Sequence, residues 1–562
     1  MTFIEIYKNF PGLPILGSLL IFHPATGRTI ADNSPAHIIL KLIIVLVGVT
    51  ACLSVGLALS NLLVPDYIDN VEPAVVSNAW IWWHGGVLYP KISGPNIPAE
   101  LELRGLLYGP LTFIITGLLP SLVSPSIILS KIPSIMCFAA IIGVNYQACR
   151  HVGGSRIWGL IVSAILATVF GVTDALYWVR SDVFLTLIGA VCAFLVARPN
   201  RSIWCRLILL GLMAGSASAF KLHGLIYVIP GCLVIILDAL DQSPPGPMSS
   251  DNRRPDLLNW RQINLVQIAV FGAVLSLTGA IGIGWPFLLK GIVLPDYLVY
   301  LKLAAHHGLS PTILASNILF VSIFCIPIGG LARHMRVEDD KSKLRWVVLS
   351  AALMASALIV AIIAAKPGAG YPHLLPFLPY AALILSYVMA GQTTPLLKNS
   401  RLLVVALLFA VAFCTPMILR VGLFALRGTI FKTIANGAQQ IQTTLRQHPS
   451  ETVSVGYSDD EFAHLRLSYL RVLPVFAGNP LFYDATAMDD LWKGNLDPNM
   501  ALKMIEACAI QIWLLPPGPP FNIQNYYGGN TFSPEFRSLF QSRYAPEPSE
   551  GPFTPWVCRR SG

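Results

Sequence analysis

Residues 38–73 read IILKLIIVLVGVTACLSVGLALSNLLVPDYIDNVEP, and this stretch decides the fold. Its first part, 38–63, carries one charge, Lys41, over more than the ~20 residues that a helix needs to cross a bilayer. A helix closes its own backbone hydrogen bonds, so an apolar run of this length belongs in lipid. The second part turns at once to Pro65, Asp66, Asp69, Glu72 and Pro73, which puts carboxylates where a bilayer meets water. Similar apolar runs recur downstream. Together they predict about eleven spans, at 38–63, 127–148, 157–173, 183–197, 204–219, 223–240, 263–289, 312–332, 346–365, 371–391 and 402–420.

Composition agrees with this reading. Of 562 residues, 54% are hydrophobic and 12% charged, and the mean hydropathy is +0.64. Soluble domains carry roughly 25% charged residues. The net charge of +9 is spread over short loops between apolar runs rather than gathered in a patch, so it speaks for membrane topology and against nucleic acid. Residues 1–37 contain Pro11, Pro14 and Pro24 and show no basic start followed by an apolar core, so they are expected to form a cytoplasmic segment rather than a cleaved signal.

Lys and Arg near span ends stay on the cytoplasmic side, and this orients the bundle. The basic loops hold Arg150 and Arg156, then Arg198, Arg201 and Arg206, then Arg253, Arg254 and Arg261, then Arg333 to Arg345, then Lys398 and Arg401. They alternate with arginine-poor turns at 174–182, 221–223, 290–307 and 366–373, which are predicted to lie outside with everything after Arg420. The first span then runs outward and the one at 127–148 inward. The apolar stretch 106–123, broken by Pro110 and Pro120, must therefore be re-entrant or interfacial.

From Arg427 the composition changes to charged and polar residues with Pro- and Gly-rich turns. Short apolar runs at 452–455 and 510–515 read as strands, and 459–472 and 498–507 as helices. The expected architecture is thus a mostly α, polytopic membrane helix bundle over 38–425, with an outer loop at 64–105 and a small α/β extracytoplasmic cap at 426–562. Eight cysteines lie in or beside apolar spans as small core residues. Cys508 and Cys558 fall in the polar region, where an oxidising compartment would let them pair.

Ionisable residues at the ends of apolar spans are costly in lipid and tolerated where they line a polar cavity. Asp69 and Glu72 lie three residues apart at the start of an expected interfacial helix over 70–84, which Trp80, Trp82 and Trp83 would anchor. One carboxylate could accept a hydroxyl proton while the other binds a divalent cation or steers its partner. The structural alternative is an N-cap by Asp69 with Glu72 as dipole partner. Arg180 and Asp182 share an outer turn, where they serve as phosphate clamp and acid–base or metal residue, or simply as a local cap with a salt bridge. Lys221 is a phosphate ligand or a snorkelling lysine. Lys366 precedes a Gly-rich break, Pro367-Gly368-Ala369-Gly370, whose backbone N–H groups would join its ammonium around a phosphate. The pair His306-His307 reads as solvated loop.

In order along the chain, Asp69-Asn70-Val71-Glu72, Gly86-Val87-Leu88-Tyr89, Tyr108-Gly109-Pro110, Arg180-Ser181-Asp182, Lys221, and Lys366-Pro367-Gly368 running into His373-Leu374-Leu375-Pro376 form a set. In its order and common sidedness it resembles the GT-C superfamily of membrane glycosyltransferases, especially the bacterial branch of protein mannosyltransferases and the lipid A aminoarabinose transferase. The resemblance covers residues 60–380. It implies inverting transfer of a monosaccharide from a polyprenyl-phosphate donor to a lipid, glycan or protein acceptor at the outer face of a bacterial inner membrane. It makes Asp69 the aspartate near the acceptor and Glu72 its acidic neighbour; with Asp182, which the reading of the outer turn adds, these are the catalytic candidates, and Mg or Mn is the cation the three would hold. Arg180, Lys221, Lys366 and His373 become the donor-phosphate residues, and Asp66, His84, Tyr89 and Tyr108 line the substrate. The family commonly has adjacent Asp and Glu in its first loop. Here Asn70 and Val71 separate them, and Asp66 competes for the role. A transporter or lipid-linked sugar flippase is the competing class, because charged span ends also mark transport paths. Against it stand the carboxylate- and aromatic-rich outer loop and the lack of inverted repeats.

Overall fold

The computed structural model describes residues 35–90, 104, 107–153, 155–173, 177–241, 265–304, 308–334, 340–390, 410–425, 428–482, 484–492, 499–525 and 527–559. Residues 1–34, the loop 242–264, the His306-His307 pair and the start of the expected last span lie outside these. Among the described residues, eight helices are long and apolar enough to cross a membrane: Lys41–Leu63, Ile127–Val152, Arg156–Thr173, Ile203–Phe220, Val266–Leu288, Pro311–Gly329, Lys343–Ile363 and Tyr371–Ala390. Three further expected spans coincide with shorter apolar helices at Ser181–Val196, Ile229–Leu240 and Val411–Phe424. The chain is a multi-pass membrane protein, mostly helical, with a small sheet near its C-terminal end.

Helix α1 (Pro35–Leu63) delivers the chain to the first loop, and α2 (Val71–Trp83) follows it. Tyr67 Oη shares a 2.9 Å hydrogen bond with Ser130 Oγ. Lys131 donates to the carbonyls of Asn61, at 2.8 Å, and Asp66. The end of α1 and the start of α4 (Ile127–Gly153) therefore lie on one face. Between them, α3 (Pro110–Leu122) begins where Gly109 N–H meets the Phe220 carbonyl at 2.9 Å. A helix of 13 residues spans about 20 Å, well short of the ~30 Å hydrocarbon layer. Helix α3 lies against α2 through a 3.2 Å bond from Trp83 Nε1 to the Ile114 carbonyl.

The bundle continues through α5 (Arg156–Thr173), α6 (Ser181–Val196) and α7 (Ile203–Phe220). Helix α7 fixes the direction of the site, since Arg206 lies in its first turn and Lys221 is its C-cap, 15 residues and about 23 Å apart. At the Arg206 end, Arg206 and Arg345 both bind Asp238, the latter at 3.0 Å, and Arg198 bonds His151 at 2.9 Å. The arginines expected on the cytoplasmic side thus gather at one end. Close helix packing depends on small residues: a Cβ on Gly215 would stand 2.1 Å from the Gly279 carbonyl oxygen, so the helix carrying Gly279 approaches α7 backbone to backbone.

The C-terminal part opens with a helix at Gly428–Gln447 and builds a four-stranded sheet of order β1-β2-β4-β3, from β1 (Val453–Val455), β2 (Ile512–Leu515), β3 (Tyr544–Pro546) and β4 (Thr554–Cys558). Strands β1 and β2 run parallel, and the other pairs are antiparallel. Helices at Phe462–Ser468 and Asn499–Glu506 lie in the crossover, matching the expected α/β pattern. Cys508 and Cys558 form a disulfide. An apolar core shared by Val71, Val75, Ile434, Ile441, Leu467 and Leu470 joins this domain to α2.

Candidate active site

The turn before α6 carries Arg180 as N-cap and Asp182 in the first helical turn, so the backbone fixes both side chains toward the end of α7. Arg180 Nη1 donates to Asp69 Oδ2 at 2.8 Å, and Arg180 Nε donates to Tyr108 Oη at 2.9 Å. On its other side, Asp182 Oδ1 accepts from Lys221 Nζ at 2.7 Å. Lys221 also reaches His373 Nε2 at 3.2 Å, and the His373 ring stacks on His223 at 5.5 Å. Six residues singled out in the sequence, Asp69, Tyr108, Arg180, Asp182, Lys221 and His373, therefore meet in one chain of contacts. His223, at the end of the outer turn 221–223, closes the chain.

Two carboxylates face two cations here, nearly all out of water. The Asp182 and Lys221 side chains are 1% and 7% exposed, while Asp69, at 19%, is the most open member of the two ion pairs. Burial pushes the Tyr108 hydroxyl pKa upward, so it keeps its proton and can donate it onward. Asp182 Oδ2, His373 Nδ1, Ser181 Oγ and Trp178 Nε1 are buried and have no hydrogen-bond partner among the described residues. These four polar atoms stand beside the ion-pair chain, where a polar ligand would satisfy them.

Glu72 points elsewhere. It is fully buried and accepts from Ile68 N, Asp69 N and, across the fold, Val179 N at 2.7–2.9 Å. Burial pushes its pKa up to about 7, against the pull of Lys131 and these N–H groups. It latches the first loop to the Arg180 turn. The expected N-cap by Asp69 is not made, because Asn70 holds that position without a side-chain cap bond. The three tryptophans are half-buried, with Trp82 Nε1 bonding the Lys290 carbonyl at 3.0 Å and Trp83 Nε1 the Ile114 carbonyl at 3.2 Å.

The remaining expected residues divide. Asp66 is buried and ion-paired to Arg466. Tyr89 sits among Tyr297 and Tyr300 and donates to the Tyr108 carbonyl at 2.7 Å, supporting Tyr108 from behind. His84 is exposed and folds back on its own helix, its ring tilted 33° against Trp80 with the centroids 3.8 Å apart. Lys366 is half-buried and within electrostatic reach of His223. The expected backbone nest beside it is closed inward, since Ala369 N and Gly370 N bond the Lys366 and Ala364 carbonyls at 3.0 and 2.9 Å. The turn reverses the chain and uses those donors itself.

The metal trio of Asp69, Glu72 and Asp182 is not assembled. The Arg180 guanidinium lies between Asp69 and Asp182, where a cation would sit, and Glu72 is turned to Val179. As placed here, these three carboxylates do not form a divalent-ion site. Among the described residues, the three His, Cys, Asp or Glu side chains whose ligand atoms converge within 4.8 Å are Asp459, Glu461 and His464, in the C-terminal domain.

No protein-family model matches the sequence, and no curated protein matches it. The architecture does match solved structures. The crystal structure of ArnT from Cupriavidus metallidurans bound to undecaprenyl phosphate superposes with a TM-score of 0.52 at 12% identity, covering 93% of this chain and 98% of that one. Its apo state gives 0.50 at 12% identity, over 90% and 97%. This chain has the GT-C fold. The agreement runs through bundle and C-terminal domain alike, so the GT-C likeness drawn from motifs over 60–380 extends over most of the chain.

Proposed function

We propose that this GT-C-fold protein transfers a monosaccharide from a polyprenyl-phosphate donor to a hydroxyl of a lipid, glycan or protein acceptor at the outer face of the membrane, with the C-terminal domain as its outer cap. The observation that carries the reading is the buried Asp69–Arg180–Asp182–Lys221–His373 chain with orphaned polar atoms around it, at the end of the bundle opposite the Arg206–Asp238–Arg345 cluster. The ArnT structure with undecaprenyl phosphate supports a lipid-phosphate donor on this fold. A disulfide in the cap supports an oxidising, non-cytoplasmic location.

In this reading, Asp69 accepts the proton of the acceptor hydroxyl as its oxygen attacks the anomeric carbon. The bond to the donor phosphate breaks, and the polyprenyl phosphate leaves with the electron pair. Arg180 has five N–H donors and gives two to Asp69 and Tyr108, so the fork both aims the base and meets the phosphate. Lys221 and Lys366 add positive charge where negative charge grows on the leaving group. Asp182 holds Lys221 in place. The test is purified protein in vesicles with a synthetic polyprenyl-phosphate sugar. Donor-dependent sugar transfer, or slow donor hydrolysis releasing polyprenyl phosphate, is expected. Movement of intact donor across the bilayer with no bond broken would replace this reading with a flippase.

A further inference from the structure

Asp69 belongs to the membrane bundle by sequence, yet its backbone is held from the far end of the chain. Arg466 Nη2 pairs with Asp66 Oδ2, and its Nη1 reaches the Ile68 carbonyl at 3.5 Å. Arg471, five residues on, donates Nη2 to the Asn70 carbonyl. The two guanidiniums thus bracket Asp69 on both sides along the chain. Each is itself fixed: Arg471 Nε binds Asp484 Oδ2 at 2.7 Å and Nη1 the Ser468 carbonyl at 3.2 Å, while Arg466 lies over the rings of Phe462 and Tyr469. Arg466, Arg471, Asp66 and Asp484 are all at most 5% exposed.

Adhesion of the domain does not need these charges, because the shared apolar core between α2 and the domain already supplies a dry contact. Taking charges out of water costs several kcal/mol per ion and is weak as a source of stability. What such pairs give is direction. Both arginines reach the segment 66–70 rather than the body of α2, and from below Glu72 and Lys131 hold the same segment through Ile68 N, Asp69 N and the Asp66 carbonyl. The result is a short loop tied at almost every polar group, with one carboxylate, Asp69, left partly open and turned to Arg180.

We infer that Arg466 and Arg471 are positioning residues of the soluble domain, which set where the Asp69 carboxylate stands relative to Arg180. The inference rests on the proposed transfer for its kinetic readout. A misplacement of about 1 Å in a reacting group costs about 100-fold in rate. In full-length protein in vesicles with a synthetic polyprenyl-phosphate sugar, Arg466→Gln and Arg471→Gln are each expected to lower kcat per folded molecule by about 100-fold, with the donor KM unchanged. Arg466→Lys, which keeps the charge but not the fork, recovers part of the rate. Amide exchange over 66–72 rises in the glutamine variants. Asp66→Asn, nearly isosteric, gives the same pattern and replaces Arg466→Gln if that variant does not fold. Phe540→Ala, in the domain's own core away from the loop, is the control for simple destabilisation. Unchanged kcat in the arginine variants, or losses and exchange no different from Phe540→Ala, overturns the inference. If the wild type transfers no sugar at all, the functional reading fails, and amide exchange over 66–72 still decides the positioning role: no rise there overturns it.

Discussion

Lys221 and Asp182 face each other at 2.7 Å with both side chains almost fully buried, so removing one leaves the other charged and bare. Lys221→Met is expected to destabilise the protein by about 3–5 kcal/mol, and the double variant Asp182→Asn/Lys221→Met to regain much of that, both read by thermal unfolding in detergent. Glu72 makes a prediction in pH. Its folded pKa, near 7 through burial, lies above the ordinary 4.5, so the folded state holds its proton more tightly than the unfolded one. Its stabilising contribution is full below pH 4.5 and is lost as pH rises through 7. Relative to Glu72→Gln, the wild type should therefore lose melting temperature between those limits; a constant difference would contradict the assignment. Chelation offers a third test, since Arg180 stands where a metal would sit. EDTA should leave sugar transfer intact.

At the scale of elements, the junction of α3 and α7 sets the height of Tyr108. A Cβ on Gly109 would lie 2.1 Å from the Ala219 carbonyl oxygen, which is backbone and does not yield cheaply. Gly109→Ala should cost about 1–3 kcal/mol by overpacking and move Tyr108 off Arg180, giving a lower melting temperature and slower transfer together. Helix existence was legible from apolar runs, because lipid leaves so few alternatives. Charge alternation makes 106–123 re-entrant or interfacial, and the structure gives it a helix of 13 residues, among the shorter apolar helices. Burial of α2 was not legible: an aromatic-rich amphipathic stretch reads the same whether lipid or a folded domain covers it. The closed turn after Lys366 was hidden too, since glycines show where a chain bends but not which way its N–H groups point.

Across the whole molecule, the candidate residues from the sequence that the structure brings together are those for which charge at a span end is expensive: Asp69, Arg180, Asp182, Lys221 and His373. Arg466 and Arg471 escaped notice because arginine is ordinary in a soluble domain, and Arg466 meets its partner 400 residues away in the chain. The fold brings both sets together at the end of the bundle away from Asp238. Single cysteines at 69 and 366 should label with a membrane-impermeant thiol reagent from the same side as the cap, and one at 345 from the other side. The most direct measurement is the turnover of Asp69→Asn with a polyprenyl-phosphate sugar donor, taken on folded protein beside the wild type. Loss of a general base predicts a fall of about 10²–10⁴-fold with the melting curve retained. Wild-type turnover in that variant would contradict it.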